Sequence, residues 1–321
     1  MPPVLTPDNA GPLLADILPD HGPIAEVRRF DEGSVTGAYR VSFADDEVRP
    51  VVVKVYAPES RGHAAKEARA LHLLRDRGIF SVPRVIGFRK AVDVLDGGAC
   101  AVLSLMRGRT LTSVAARLTP EQERDVWVQL GTILRRIHDV PMGAYGYING
   151  DIMDPAPDNS AHMRRWFARL LGEYRRLGGD PALAERTAVH VAAREAAFAD
   201  CARPVLCHGD YHESNIMVTR EPDGRYRVTG VIDPENMHAG DPLVDIVRTC
   251  EFSVGEDPVK RAGLLEGYGV GGENWPESWR PRMHLYRVAL VVELFNWFSM
   301  SGAVKHLPGL DNDLRELVGA R

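Results

Sequence analysis

The chain has 321 residues, of which 45% are hydrophobic and 26% charged, with a net charge of −5. This length suits a large core or two lobes sharing a cleft, and the composition is that of a globular protein and excludes extensive disorder. The negative balance argues against a nucleic-acid binder, no apolar run approaches the ~18 residues of a membrane span, and "MPPVLTPDNA" lacks the basic and apolar regions of a signal peptide.

The expected location is therefore cytoplasmic. Cys100, Cys201, Cys207 and Cys250 form no CxxC pair, so reduced thiols are expected, with neither a disulfide framework nor a structural zinc site.

In chain order, the first hundred residues read as strands with one helix. "AEVRRFDEGSVTGAYRVSF" holds two β-type stretches around a Gly/Ser turn, and "VRPVVVKVYAP" is a β-branched run closed by proline. "HAAKEARALHLLRDRG" repeats its apolar positions at helical spacing, and "VPRVIGFRK" and "GACAVLSLMRG" supply two further strands. After "MRGRTL" the pattern turns helical. "TPEQERDVWVQLGTILRRIHDV" has a Thr-Pro start and ends before Pro141, and further helices are expected across 160–200 and 280–300. Short strand-like pieces, "RPVLC", "NIMVT" and "RVTGVID", lie between them, whereas "YINGDIMDPAPDNSA" is rich in turn formers and reads as a loop. The expected fold class is α+β in two lobes: a small antiparallel sheet with one helix over residues 1–106, and a larger, mainly helical lobe over 107–321.

Charge divides unevenly. The chain up to Arg109 contains 15 basic and 14 acidic residues, leaving 24 of the 39 basic and 30 of the 44 acidic residues for the remainder. The acidic larger part suits a cationic small-molecule partner, and solvated surface charge explains it equally well.

"VLCHGDYHESNI" gathers two histidines, two acidic residues and an asparagine directly after an apolar pair. His208-x-Asp210-x-His212 alone is compatible with a metal-hydrolase site, but the remaining histidines stand singly and offer no HxH or HExxH companion. A solvated turn would need no partner motif elsewhere. A phosphoryl-transfer loop of the form His-x-Asp-x-x-x-x-Asn makes a further demand. Its carboxylate orients the attacking hydroxyl and its amide helps to hold Mg²⁺, so a second carboxylate must follow at a strand end. "VTGVIDPEN" supplies Asp233 there. The same chemistry needs a strand lysine for the α/β-phosphates and a helical glutamate to position it, and Lys54 in "VVVKVY" and Glu67 in "AAKEARALHLL" occur in that order.

Together "VVVKVY", "KEARALHLL", "VPRVIG", "AVLSLMRGRTL", "LGTILRRIHDVP", "VLCHGDYHESNIMV" and "VIDPENMHAGDPLVDI" resemble the aminoglycoside phosphotransferases and their relatives, from about residue 25 to about residue 300. These share the protein-kinase-like fold and include choline, methylthioribose and homoserine kinases. The resemblance implies Asp210 as catalytic base, Asn215 and Asp233 as Mg²⁺ ligands, and Lys54 with Glu67 at the phosphates of ATP or GTP. It makes His208, Asp241 and Asp245 structural, the two aspartates by capping backbone N–H groups.

"EGSVTGAYRV" stands where relatives have a phosphate-covering loop, with Gly33, Ser34 and Gly37 as its contacts, although it departs from GxGxxG. Ser104 to Met106 correspond to the hinge that holds the nucleobase edge. Pro234 replaces a common aromatic residue and leaves the Asp233 carboxylate in place. The implied reaction is Mg²⁺-dependent phosphorylation of a small-molecule hydroxyl, on an aminoglycoside or another hydroxylated antibiotic. A metabolic acceptor such as choline, methylthioribose, a sugar or an amino alcohol is the alternative. A pseudokinase is a third, disfavoured because Lys54, Asp210, Asn215 and Asp233 are all present. The sequence does not distinguish a monomer from a homodimer.

Overall fold

The structure is a computed structural model in which residues 3–30, 37–79, 81–149 and 151–319 are described. Helix α1 (Pro7–Ala15) precedes strands β1 (Ile24–Arg29), β2 (Gly37–Phe43) and β3 (Val51–Tyr56), helix α2 (Arg61–Asp76), and strands β4 (Val85–Val92), β5 (Gly98–Ser104) and β6 (Arg109–Thr110). Helices α3 (Leu111–Val114) and α4 (Pro120–His138), strands β7 (Tyr145–Asn149) and β8 (Asp151–Ala156), and helices α5 (Asn159–Arg176) and α6 (Pro181–Ala192) follow. The chain continues through strands β9 (Val205–Cys207), β10 (Ile216–Arg220), β11 (Tyr226–Val231) and β12 (His238–Gly240). Helices α7 (Leu243–Thr249), α8 (Pro258–Tyr268), α9 (Arg280–Ser301) and α10 (Leu307–Leu317) complete it.

Two compact units divide these elements, and each draws on separate stretches of chain. The first comprises Met1–Gln122, Ile148–Asp151 and Glu213–Met237. The second comprises Glu123–Tyr147, Ile152–His212 and His238–Arg321. A single cut after Met106 is contiguous in sequence; these units are not, because the segment around β10 and β11 belongs with the first.

In the first unit, five antiparallel strands lie in the order β1-β2-β3-β5-β4. Successive side chains on a strand point to opposite faces. Val51, Val53 and Val55 thus join a core with Tyr39, Val41, Val102 and α1's Leu13 and Leu14, while Lys54 turns to the other face. That face is covered by α2, whose buried positions Ala64, Glu67, Ala68, Leu71 and Leu74 follow the helical repeat. Helix α1 adds to the helix anticipated from sequence. Thr6 caps it, accepting from the Asn9 N–H while the Asn9 side chain accepts from the Thr6 N–H. A small sheet in the order β11-β10-β6 completes the unit.

The second unit is mainly helical, with a small sheet in the order β8-β7-β12-β9. The 147–161 stretch, expected as a loop, contains the end of β7 and all of β8; Pro155 and the acidic residues hide a strand created by pairing with β7. Helices α4 and α8 meet through glycine. A Cβ on Gly267 would stand 1.9 Å from the Val128 carbonyl oxygen, and one on Gly131 2.3 Å from that of Leu264. This close approach brings α8's Tyr268 within reach of α4's His138, and their side chains meet at 2.8 Å. All four cysteines are free thiols, and no described helix is long and apolar enough to cross a membrane.

Candidate active site

The first unit assembles three of the anticipated residues around one ammonium group. Lys54 Nζ lies 2.8 Å from both carboxylate oxygens of Glu67 and 2.8 Å from Asp233 Oδ1. Tyr56, two positions along β3 on the same face, donates its hydroxyl to Glu67 Oε2. Burial alone would lower the Lys54 pKa, but the Glu67 and Asp233 carboxylates outweigh it and hold the ammonium well above the usual lysine range. Glu67 is almost fully buried, whereas the Asp233 side chain keeps 36% of its surface exposed. One end of this ion triad is therefore open to a ligand.

The backbone at Asp233 is unusual. Its φ of +63° and ψ of 52° place a non-glycine residue in the left-handed region, and Pro234 begins a short 3₁₀ turn immediately after it. Such a conformation costs ~1–2 kcal/mol for a side chain other than glycine, and it turns the carboxylate at the end of β11 toward Lys54. Asn215 stands at the neighbouring end of β10. Ile216 pairs with Val231, and the Ile232 N–H donates to the Asn215 carbonyl at 2.9 Å, so Asn215 and Asp233 flank the same end of one hairpin.

Glu235 was not singled out from sequence. Its carboxylate oxygen lies with those of Glu67 and Asp233, all within 4.8 Å of one another, and it faces His63 of α2. The only sequence signal was its place two residues after Asp233. Met106 rests on β11, where a Cβ on Gly230 would stand 2.6 Å from Met106 Cε. Ser104 is tied to the neighbouring chain, its hydroxyl accepting from the Arg84 N–H at 2.8 Å. Gly37 opens β2 beneath the Tyr39 ring, at a distance that excludes a Cβ without a shift of that ring. Gly33 and Ser34 lie outside the described residues.

The second unit carries Asp210 directly after β9. Asp245, fully buried on α7, accepts from the His208 N–H at 2.6 Å and the Gly209 N–H at 2.7 Å. It also meets His138 Nε2 at 3.0 Å, and His138 Nδ1 meets the Tyr268 hydroxyl at 2.8 Å. Gly209 has a φ of +81°, which glycine adopts without strain, and this turns the chain so that consecutive N–H groups reach one carboxylate. Burial opposes ionisation of Asp245, yet His138 first, and then His238 and His208, keep its pKa far below the ordinary carboxylate range.

Asp210 is set differently. Its Oδ1 lies 3.2 Å from His212 Nε2, and its N–H donates to His208 Nδ1 at 3.3 Å. Burial would raise its pKa, but His212, His208 and Arg248 prevail and keep the carboxylate ionised. Thr249 donates to the Tyr211 carbonyl at 2.8 Å, and the Tyr211 hydroxyl donates to the Leu130 carbonyl at 2.9 Å, fixing the loop on both sides. Asp241 accepts from the Leu243 N–H, Arg282 and the Tyr286 hydroxyl.

The phosphotransferase enzyme family matches residues 26–281. The chain belongs to this family. It is 28% identical over 231 residues to streptomycin 3''-kinase of Streptomyces griseus, covering 69% of this chain and 80% of the relative. The fold is similar to that of a thermostable mutant of aminoglycoside phosphotransferase APH(4)-Ia, solved with ADP and hygromycin B, with a TM-score of 0.70, 13% identity and coverage of 97% and 98% of the two chains. It is also similar to a Haemophilus somnus 129PT structure assigned as a fructosamine-3-kinase, with a TM-score of 0.64, 16% identity and coverage of 95% and 96%. The protein is thus a phosphotransferase-family member with mixed α/β, kinase-like architecture, and the acceptors of its relatives differ.

Proposed function

We propose that this chain transfers the γ-phosphate of ATP or GTP to a hydroxyl of an aminoglycoside or another hydroxylated antibiotic. The observation that carries the reading is the Lys54–Glu67–Asp233 triad, an ion cluster that closes on one side and stays open on the other. Lys54, held by Glu67, neutralises the nucleotide phosphates, and Met106 with the Ser104 backbone holds the base edge. Gly33, Ser34 and Gly37 belong to the loop over the phosphates. Asp210, ionised and oriented by His212, accepts the proton of the attacking hydroxyl and aligns its oxygen for in-line attack.

The oxygen-rich donor set beside Lys54 fits Mg²⁺, which takes hard oxygen ligands. Asp233 and Asn215 would hold it, and it would supply further neutralisation of phosphate charge. The chain positions its reactants with residues 1–106 acting mainly on the nucleotide and 107–321 mainly on catalysis and the acceptor. The relationship to streptomycin 3''-kinase supports an aminoglycoside as acceptor. A metabolic acceptor is the second reading, supported by the likeness to the fructosamine-3-kinase structure.

Nucleotide consumption with Mg²⁺ tests this reading, using ATP and GTP across streptomycin, other aminoglycosides, fructosamines, choline, methylthioribose and simple sugars. Turnover that requires an aminoglycoside supports it, and turnover confined to a metabolite supports the second reading. Tight nucleotide binding without turnover on any acceptor would contradict both and favour a pseudokinase.

A further inference from the structure

In the second unit, helices α6, α9 and α10 border an open surface pocket of about 710 Å³ whose lining includes His190, His284, Arg194, Arg280 and Glu316. None of these residues belongs to the site described above. His190 Nε2 and His284 Nε2 stand 2.8 Å apart across it. Two imidazole nitrogens aimed at each other can share only one proton, so one of them presents a lone pair.

We infer that His190 and His284 form a two-histidine binding site for a borderline divalent transition metal such as Zn²⁺, with water completing its coordination. Imidazole is the ligand type that selects Zn²⁺, Ni²⁺ or Cu²⁺ over Mg²⁺. With Zn–N bonds of about 2.0–2.1 Å, two nitrogens on one tetrahedral ion stand roughly 3.3 Å apart, so a small rotation of the rings admits the metal. Both rings must be neutral to bind. Burial first, and then Arg194, lower the pKa of each below the ordinary histidine value, with Arg287 adding to the effect at His284. Arg194 and Arg280 are exposed to solvent, which screens their repulsion of a cation, and the C-terminal end of α10, with its negative dipole pole, lines the same pocket.

The test is calorimetric titration of the untagged full-length chain with Zn²⁺, after chelator treatment and in excess Mg²⁺ to occupy oxygen-donor sites. One equivalent is expected to bind. His190→Gln or His284→Gln should weaken binding by more than ~10-fold, and His306→Gln should not change it. Unchanged binding in both pocket variants, or no saturable single equivalent in the wild-type chain, overturns the proposal. Should a variant lose its fold by circular dichroism, the wild-type histidine proton resonances decide instead. Zn²⁺ must shift the His190 and His284 signals first, and shifts confined to other histidines refute the site.

Discussion

Glu67 and Asp233 in the first unit meet a cation, Lys54, whereas Asp245 in the second is occupied by backbone N–H groups and a histidine. The first arrangement leaves one carboxylate part-exposed, ready to exchange partners when a charged ligand arrives. The second leaves nothing exposed and fixes the loop that carries Asp210. Acidic residues of one chain thus sit in two settings, and burial together with partner type tells them apart: a half-open ion cluster, proposed above as the nucleotide site, and a closed carboxylate that braces the scaffold.

The largest expected effect comes from breaking the closed group. Asp245→Ala removes the acceptor of two backbone donors and the partner of His138, and should cost ~3–5 kcal/mol of stability in chemical denaturation. Acid should find the same unit. Burial, with help from His238, lowers the His162 pKa to about 4. The unfolded chain takes up this proton near 6.5 and the folded chain only near 4, so stability is full above 6.5 and falls as pH drops between these values. At ~1.36 kcal/mol per pH unit the loss is on the order of 3 kcal/mol, and His162→Phe should flatten the pH dependence of the denaturation midpoint. Asp245 sharpens this at lower pH, because its depressed pKa means that its contribution is present above the ordinary carboxylate range and lost as pH falls through and below it.

Asp210→Asn should leave the denaturation midpoint nearly unchanged and reduce kcat by ~10² or more. Tyr56→Phe is expected to be the mildest of these changes. It removes one donor from Glu67 while Lys54 remains, for ~1–2 kcal/mol of stability. A Tyr56→Phe loss that matches Asp245→Ala would erase the distinction between the open and closed groups.

Much of this was legible in the sequence. Lys54 lay in a β-branched run and Glu67 on the next helix, and strand alternation with helical repeat is enough to face one toward the other. The Gly240-Asp241-Pro242 turn announced a helix start, and the structure has Asp241 accepting from the Leu243 N–H there. Contacts made by distant chain segments were not legible. His138 and Asp245 are 107 positions apart, and no local pattern pairs them. The left-handed backbone at Asp233 is imposed by its surroundings, since aspartate has no strong preference for it. Strand β8 exists because β7 offers it an edge, and its own residues favour a turn.

The most direct test of the central claim measures nucleotide affinity and acceptor-dependent turnover side by side in the wild-type chain, Lys54→Ala and Asp210→Asn. The account predicts that Lys54→Ala weakens nucleotide binding, while Asp210→Asn binds nucleotide normally and loses turnover. Full turnover in Asp210→Asn, or undiminished nucleotide binding in Lys54→Ala, would contradict it.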